Sequence, residues 1–201
     1  NMERFEKLCR SNMIDFRVHE NIYDFTVSIL EKETNYADLM IIDSSMFYRE
    51  VNKKIPNIFL EDTLQHINCP VIVLPGKSAF PRRVILTYDG REDCVFAIKL
   101  FSYLFPEWTR LPSNLVFVSK KNEDFPDQVQ MEELVARHYS DLEMTELTMD
   151  ADMFSTWLSE KNDAIAVSGA YSRSDISLGL KKSFIREVLK DQQVPVFISH
   201  S

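Results

Sequence analysis

The sequence predicts an α/β protein built on a parallel sheet, with two tandem units of which the first is incomplete. Short continuous apolar runs, such as Ala164–Val167 and Val71–Val73, alternate with stretches of helical period, the pattern of strands covered on both faces. Residues 37–73 also align without a gap on residues 162–198, which reads as an internal repeat. With 201 residues and 45% hydrophobic content, the chain can bury one large core or two small ones.

The first unit, residues 1–75, opens with a helix from Met2 to Arg10. Then "IDFRVHE" alternates apolar and polar residues and predicts a strand. A helix at "YDFTVSILEKETN", a strand at "DLMIID", a helix at "FLEDTLQHI" and a strand at "PVIVLP" follow. The segment 76–82, within the proline- and glycine-bearing "LPGKSAFPRR", is the linker. The second unit, 83–201, begins with the strand "RRVILTYDG" and the helix "EDCVFAIKLFSYLF", whose apolar residues Val95, Ile98, Phe101 and Leu104 recur at helical spacing. It continues with strand "NLVFVSK", helix "DQVQMEELVARHY", strand "DLEMTELT", helix "MFSTWLSEKN", strand "DAIAVSGA", helix "KSFIREVLKD" and strand "VPVFISH". In the repeat, Ile42 aligns with Val167, Phe59 with Phe184, Leu64 with Leu189 and Pro70 with Pro195. Nothing in the first unit corresponds to residues 83–130, so it lacks its first strand, first helix and second strand.

Charge and composition exclude several function classes. A net charge of −8 argues against nucleic acid or an anionic membrane as the main partner. No segment is apolar enough to span a bilayer, and no signal peptide is visible. Three scattered cysteines (Cys9, Cys69, Cys94) suit a reducing cytoplasm better than a disulfide framework. The four histidines show no ligand spacing, so no metal site is expected. No phosphate-binding lysine motif, nucleophile elbow or Cys/His pair emerges, so no catalytic set is assigned.

The one stretch that invites a ligand is "SGAYSRSDISLGLKKSFIREVL", residues 168–189. A strand, a small turn and a helix N-terminus bring backbone N–H groups together, where anions bind. Arg173, Lys181 and Lys182 make this loop basic within an acidic chain. They either contact an anion directly or form a solvated face. Ser183 either caps the last helix or contacts phosphate. Tyr171 is an aromatic in the loop, and an exposed aromatic in a cleft can stack on a base.

The run "VILTYDGREDCVFAIKLF", with Asp89 ending a strand before a helix, resembles the opening of the universal stress protein family. The end of the chain agrees, with its glycine turn, loop and Pro-Val-x-x strand. The resemblance covers residues 82–201 fully and 1–75 in part. It implies a five-stranded parallel sheet of order 3-2-1-4-5, domains joined through their last strands, and a role in stress response. Members that bind ATP carry Gly, two residues, Gly, nine residues, Gly, then Ser or Thr. At that spacing stand Gly169, Ser172, Lys182 and Ser183, so the first glycine and the hydroxyl are kept and two glycines are lost. The resemblance gives Asp89 the nucleoside contact; read alone, an Asp before Gly90 is a turn residue. The first unit has Ser44, Phe47, Asn57 and Ile58 at the matching points and no nucleotide site.

The expected function is therefore a non-enzymatic cytoplasmic stress-response or regulatory module. Its second unit keeps a degenerate loop for ATP, AMP or another anion, binding weakly or not at all. The alternative is a structural dimerisation module with no small ligand, and a nucleotide hydrolase ranks below both. Because strands 1 and 2 of the first unit would lie between its other strands, three arrangements are open. The remaining strands pair directly, another chain fills the gap, or a preceding segment of the natural protein does. "PVIVL" is expected to lie against "PVFIS", and uncovered apolar surface of the truncated unit to drive homodimerisation. Phe184, with Phe59 as its first-unit counterpart, is expected to pack on the sheet.

Overall fold

The structure, a computed structural model, describes residues 2–19, 27–43, 63–64, 66–76, 78–119, 124–169 and 194–199. Among these residues its α-helices are α1 (Met2–Ser11), α2 (Val27–Thr34), α3 (Glu92–Leu104), α4 (Gln128–His138) and α5 (Ala151–Ser159), with a short 3-10 helix at Trp108–Arg110. Its strands are β1 (Met40–Asp43), β2 (Val71–Leu74), β3 (Arg83–Tyr88), β4 (Ser113–Ser119), β5 (Leu142–Thr148), β6 (Ala164–Gly169) and β7 (Val196–Ser199). All seven strands form one sheet, ordered β1-β2-β7-β6-β3-β4-β5. Every neighbouring pair is parallel except β2 with β7.

The five strands from β3 to β7 take the order 3-2-1-4-5 that the resemblance implies. Two crossovers move outward from β3 through β4 to β5, and the chain then returns across to β6 and β7. Right-handed crossovers in opposite directions put their helices on opposite faces. One face is packed by α3 and α4, with Ala97, Ile98, Phe101, Met131 and Val135 against Val84, Leu86, Leu115, Val167 and Phe197. The other takes Phe154 and Leu158 of α5 against Ile85, Val116, Ala166, Val196 and Ile198. Val84–Leu86, Val116–Val118, Ile165–Val167 and Val196–Ile198 are buried throughout, as interior strands should be. Each fully buried large side chain here contributes about 1.5–3 kcal/mol. Local chemistry supports the frame. The Asp150 carboxylate caps α5 by accepting from the Met153 N–H at 2.9 Å, and the Tyr139 hydroxyl donates to the Ile98 carbonyl at 3.0 Å, tying α4 to α3. Phe184, Phe59 and Leu189 lie outside the described residues; Leu64 packs on the α5 face.

β2 lies antiparallel against β7, Ile72 opposite Phe197, so "PVIVL" meets "PVFIS" as expected. The pair β2–β1 is thereby related to β7–β6 by a local two-fold. Two expectations need correction. Residues Ile14–His19 form no strand. An alternating pattern suits a half-buried strand, but a strand needs a neighbour's ladder. Ile14 and Val18 remain exposed, and Phe16 packs edge-on against Phe5 of α1 instead.

The gapless alignment also slips in β1. Ile41 pairs with Ile72, whereas Val167 pairs with Phe197. Hence Ile41, not Ile42, is the counterpart of Val167, and Asp43 rather than Ser44 is the counterpart of Gly169. Ile42 packs on the α5 face with Val73, while Val167 packs on the α3 face. A one-residue shift exchanges the two faces of a strand. Because "LMII" is apolar at every position, the sequence pattern could not detect it.

Candidate functional site

In an open α/β sheet, ligands bind beyond the carboxyl ends of the strands where the order reverses. Here that point lies between β3 and β6, and it is where Asp89 and Gly169 fall. β3 ends at Tyr88 and the chain turns through Asp89 and Gly90 into α3. Gly90 has φ +87°, a left-handed conformation that favours glycine, and a Cβ on it would stand 3.0 Å from the Pro126 ring.

The Asp89 carboxylate is already engaged. It accepts from the Arg91 backbone N–H at 3.2 Å, from Arg91 Nε at 2.8 Å and from a second nitrogen of the same guanidinium. It also accepts from the Cys94 thiol at 3.2 Å. Arg91 thus folds back over a two-residue turn and forms a forked ion pair, half exposed on the Arg side.

Gly169, the last residue of β6, meets the first turn of α3. A Cβ there would stand 2.4 Å from the Asp93 carbonyl carbon and 2.5 Å from the Cys94 nitrogen, both backbone atoms. Only a residue without a side chain lets this strand end and helix start touch. Cys94 joins the two predicted residues, since it donates to Asp89 and lies beside the Gly169 backbone N–H. Its burial pushes the thiol well above its ordinary range, and the Asp89 charge and hydrogen bond push the same way; the Gly169 N–H and Arg91 oppose them. A thiol held protonated is a poor nucleophile.

The first turn of α3 carries Glu92 and the buried Asp93. These carboxylates already oppose the positive end of the helix dipole, which weakens the turn as an anion seat. Beside it, Tyr88, Phe117 and Phe125 form a buried aromatic cluster, with centroids 5.0–6.3 Å apart. Burial, followed by the nearby Asp127 carboxylate, raises the Tyr88 phenol.

Of the sequence-predicted site, the structure brings Asp89 and Gly169 together on one helix turn. Tyr171, Ser172, Arg173, Lys181, Lys182 and Ser183 lie outside the described residues, as do Ser44, Phe47, Asn57 and Ile58. Sequence reasoning missed Arg91, Asp93 and Cys94. The signal available was the acid–base spacing in "DGR" and the cysteine one helical turn further on. Among the described residues, no group of three or more His, Cys, Asp or Glu could hold a metal, and no helix is long and apolar enough to cross a membrane.

No family model and no curated protein matches the sequence. Solved structures do match. A universal stress protein from Archaeoglobus fulgidus DSM 4304 superposes with a TM-score of 0.71 at 17% identity, over 99% of this chain and 74% of that one. A universal stress protein candidate from Pseudomonas aeruginosa UCBPP-PA14 gives a TM-score of 0.63 at 14% identity, over 99% and 77%. A functionally unknown protein from Pseudomonas aeruginosa PAO1 gives 0.63 at 14%, over 99% and 76%. At these identities the likeness concerns architecture, and the architecture is clear: this chain has the universal stress protein fold.

Proposed function

We propose that the protein is a non-enzymatic, cytoplasmic regulatory module of the universal stress type, in which the crevice between β3 and β6 is a weakened adenine-nucleotide or anion site. The observation that carries this reading is the convergence of Asp89 and Gly169 on the first turn of α3, at the reversal of strand order. The fold supports it, because the solved structures it resembles include a protein named as a universal stress protein. ATP or AMP would meet Asp89 at the nucleoside and the loop after Gly169 at the phosphates. The basic Arg173, Lys181 and Lys182 would supply charge to the phosphates, where side chains at Ser172 and Lys182 hinder the close backbone approach that glycines allow. The hydroxyl of Ser183 completes the set.

Calorimetry with ATP is the test. The expected dissociation constant is weaker than about 100 μM, roughly −5.5 kcal/mol, with no turnover of the nucleotide. Restoring glycine at Ser172 and Lys182 should tighten it. Sub-micromolar binding by the unaltered chain, or phosphate release above background, would refute the reading.

One observation favours a second reading, a structural dimerisation module without a small ligand. Asp89 has its acceptor capacity taken up by Arg91 and Cys94, so a ribose hydroxyl would have to displace a charged fork. An Arg91→Ala variant separates the two. If ATP binds only after this change, the arginine closes the site; if neither protein binds, the second reading stands.

A further inference from the structure

The donors that occupy Asp89 are not equally bound to stay. Its Oδ1 accepts from the Arg91 backbone N–H and from the Cys94 thiol, each at 3.2 Å. The thiol is buried and the N–H belongs to the turn that starts α3, so the fold holds both. Its Oδ2 takes only the Arg91 guanidinium, through Nε and a second nitrogen. That side chain is 49% exposed and the Asp89 side chain 21%. An ion pair so open to water is weak and is screened by salt. The guanidinium can therefore leave at little cost while the other two donors remain.

Helix α3 gives the departing arginine a second place. Arg91 is its N-cap, and the Arg91 carbonyl accepts from the Cys94 N–H at 3.1 Å. Cys94 is also the residue whose backbone meets Gly169. Arg91 thus stands within one helical turn of the end of β6. Glu92 and Asp93 oppose the helix dipole at this turn, so an anion there needs a cationic side chain beside it. Between Val84 and Val95, Arg91 is the one residue with a positive charge. A guanidinium forks onto phosphate oxygens as readily as onto a carboxylate.

We infer that Arg91 is a two-position arm that makes the crevice respond to phosphate. With no anion present, the guanidinium lies on Asp89 and keeps ligand hydroxyls from Oδ2. A phosphate group at the start of α3 draws it off and exposes that oxygen. The inference rests on the reading of the crevice as a nucleotide site, and it adds the direction of selectivity. A ligand that carries both a sugar and a phosphate opens the site for itself, whereas a nucleoside meets it closed. The two halves of such a ligand are then coupled, and coupling of binding is reciprocal.

Titrating adenosine by saturation-transfer NMR, with and without inorganic phosphate, tests the arm. Phosphate should lower the adenosine dissociation constant of the unaltered chain about fivefold, at the small end of coupling between sites. Sodium chloride at the same ionic strength should do less, because it screens the pair without offering the fork a partner. Arg91→Ala should bind adenosine without phosphate as tightly as the unaltered chain does with it, and should ignore phosphate. Arg91→Lys keeps the charge without the fork and should fall between the two. Adenosine bound equally by the unaltered chain and Arg91→Ala, with no effect of phosphate, overturns the arm and leaves the crevice a nucleoside site. Equal effects of chloride and phosphate also overturn it, since screening alone would then open Asp89. Adenosine bound by neither protein overturns both the arm and the reading beneath it.

Discussion

The strand pairs β7–β6 and β2–β1 share a sheet, a local two-fold and an apolar composition, yet among the described residues only the first carries a helix on the α3 face. The difference reaches down to single residues. Where α3 begins, the strand end is Gly169, because any Cβ would strike the helix backbone. At the corresponding place in the other pair stands the exposed Asp43. A glycine that resembles a phosphate-binding residue is thus also a packing residue, required by the helix whatever the crevice binds.

The comparison can be broken at its centre. Phe197 and Ile72 face each other across the two-fold, both buried, Phe197 beneath α3 and Ile72 beside an apolar groove that Leu39, Leu74 and Trp108 line. Phe197→Ala should cost about 4 kcal/mol and Ile72→Ala about 2 in denaturant titrations, since the open side has less packing to lose. Equal losses would mean that the groove is filled in solution. Gly169→Ala should cost about 3 kcal/mol by forcing α3 off the sheet, whereas Asp43→Ala should stay within about 0.5. A harmless Gly169→Ala would show that β6 and α3 do not touch as described.

Two finer tests sharpen the contrast. Tyr139→Phe removes the hydroxyl that holds α4 to α3 and should cost about 1 kcal/mol, measurable as a lowered melting temperature. The thiols report on burial through pH. Burial raises both Cys94 and Cys69, so the folded state keeps protons that the unfolded chain releases near pH 8.5. The folded state then binds more protons, and stability that is complete below about pH 8.5 should fall as pH rises above it. Tyr88 and Tyr139, also raised by burial, steepen the loss above about pH 10. Replacing Cys94 by Ala should flatten the onset more than replacing Cys69, because burial raises Cys94 further while each thiol has one carboxylate beside it, Asp89 for Cys94 and Asp38 for Cys69.

Much of the architecture was legible in the residues. Continuous apolar runs bounded by turns marked β3, β4, β6 and β7, and helical spacing marked α3 and α4, because burial on two faces leaves no ambiguity about what is inside. What failed shares one cause. "IDFRVHE" alternates correctly for a strand, and "LMII" is apolar throughout, but neither pattern says which neighbour is present or which face it meets. Partner and register are long-range facts. At the candidate site, Asp89 and Gly169 were readable because they punctuate strand ends. Arg91 and Cys94 were not, since their importance comes from a turn that folds a guanidinium back and from a helix start pressed against β6.

The antiparallel seam between β2 and β7 has a consequence for the order in which the molecule can form. Among the described strands β7 comes last in sequence and β2 second. Until β7 emerges and seats beside β6, β2 has no partner on that side and the two halves share no ladder. Closing a pairing of such long sequence separation is slow, and a waiting strand edge is open to mispairing with other chains. Refolding of this protein should therefore show a late phase reported by β7 residues, and its yield should fall with protein concentration faster than its folded-state solubility would suggest.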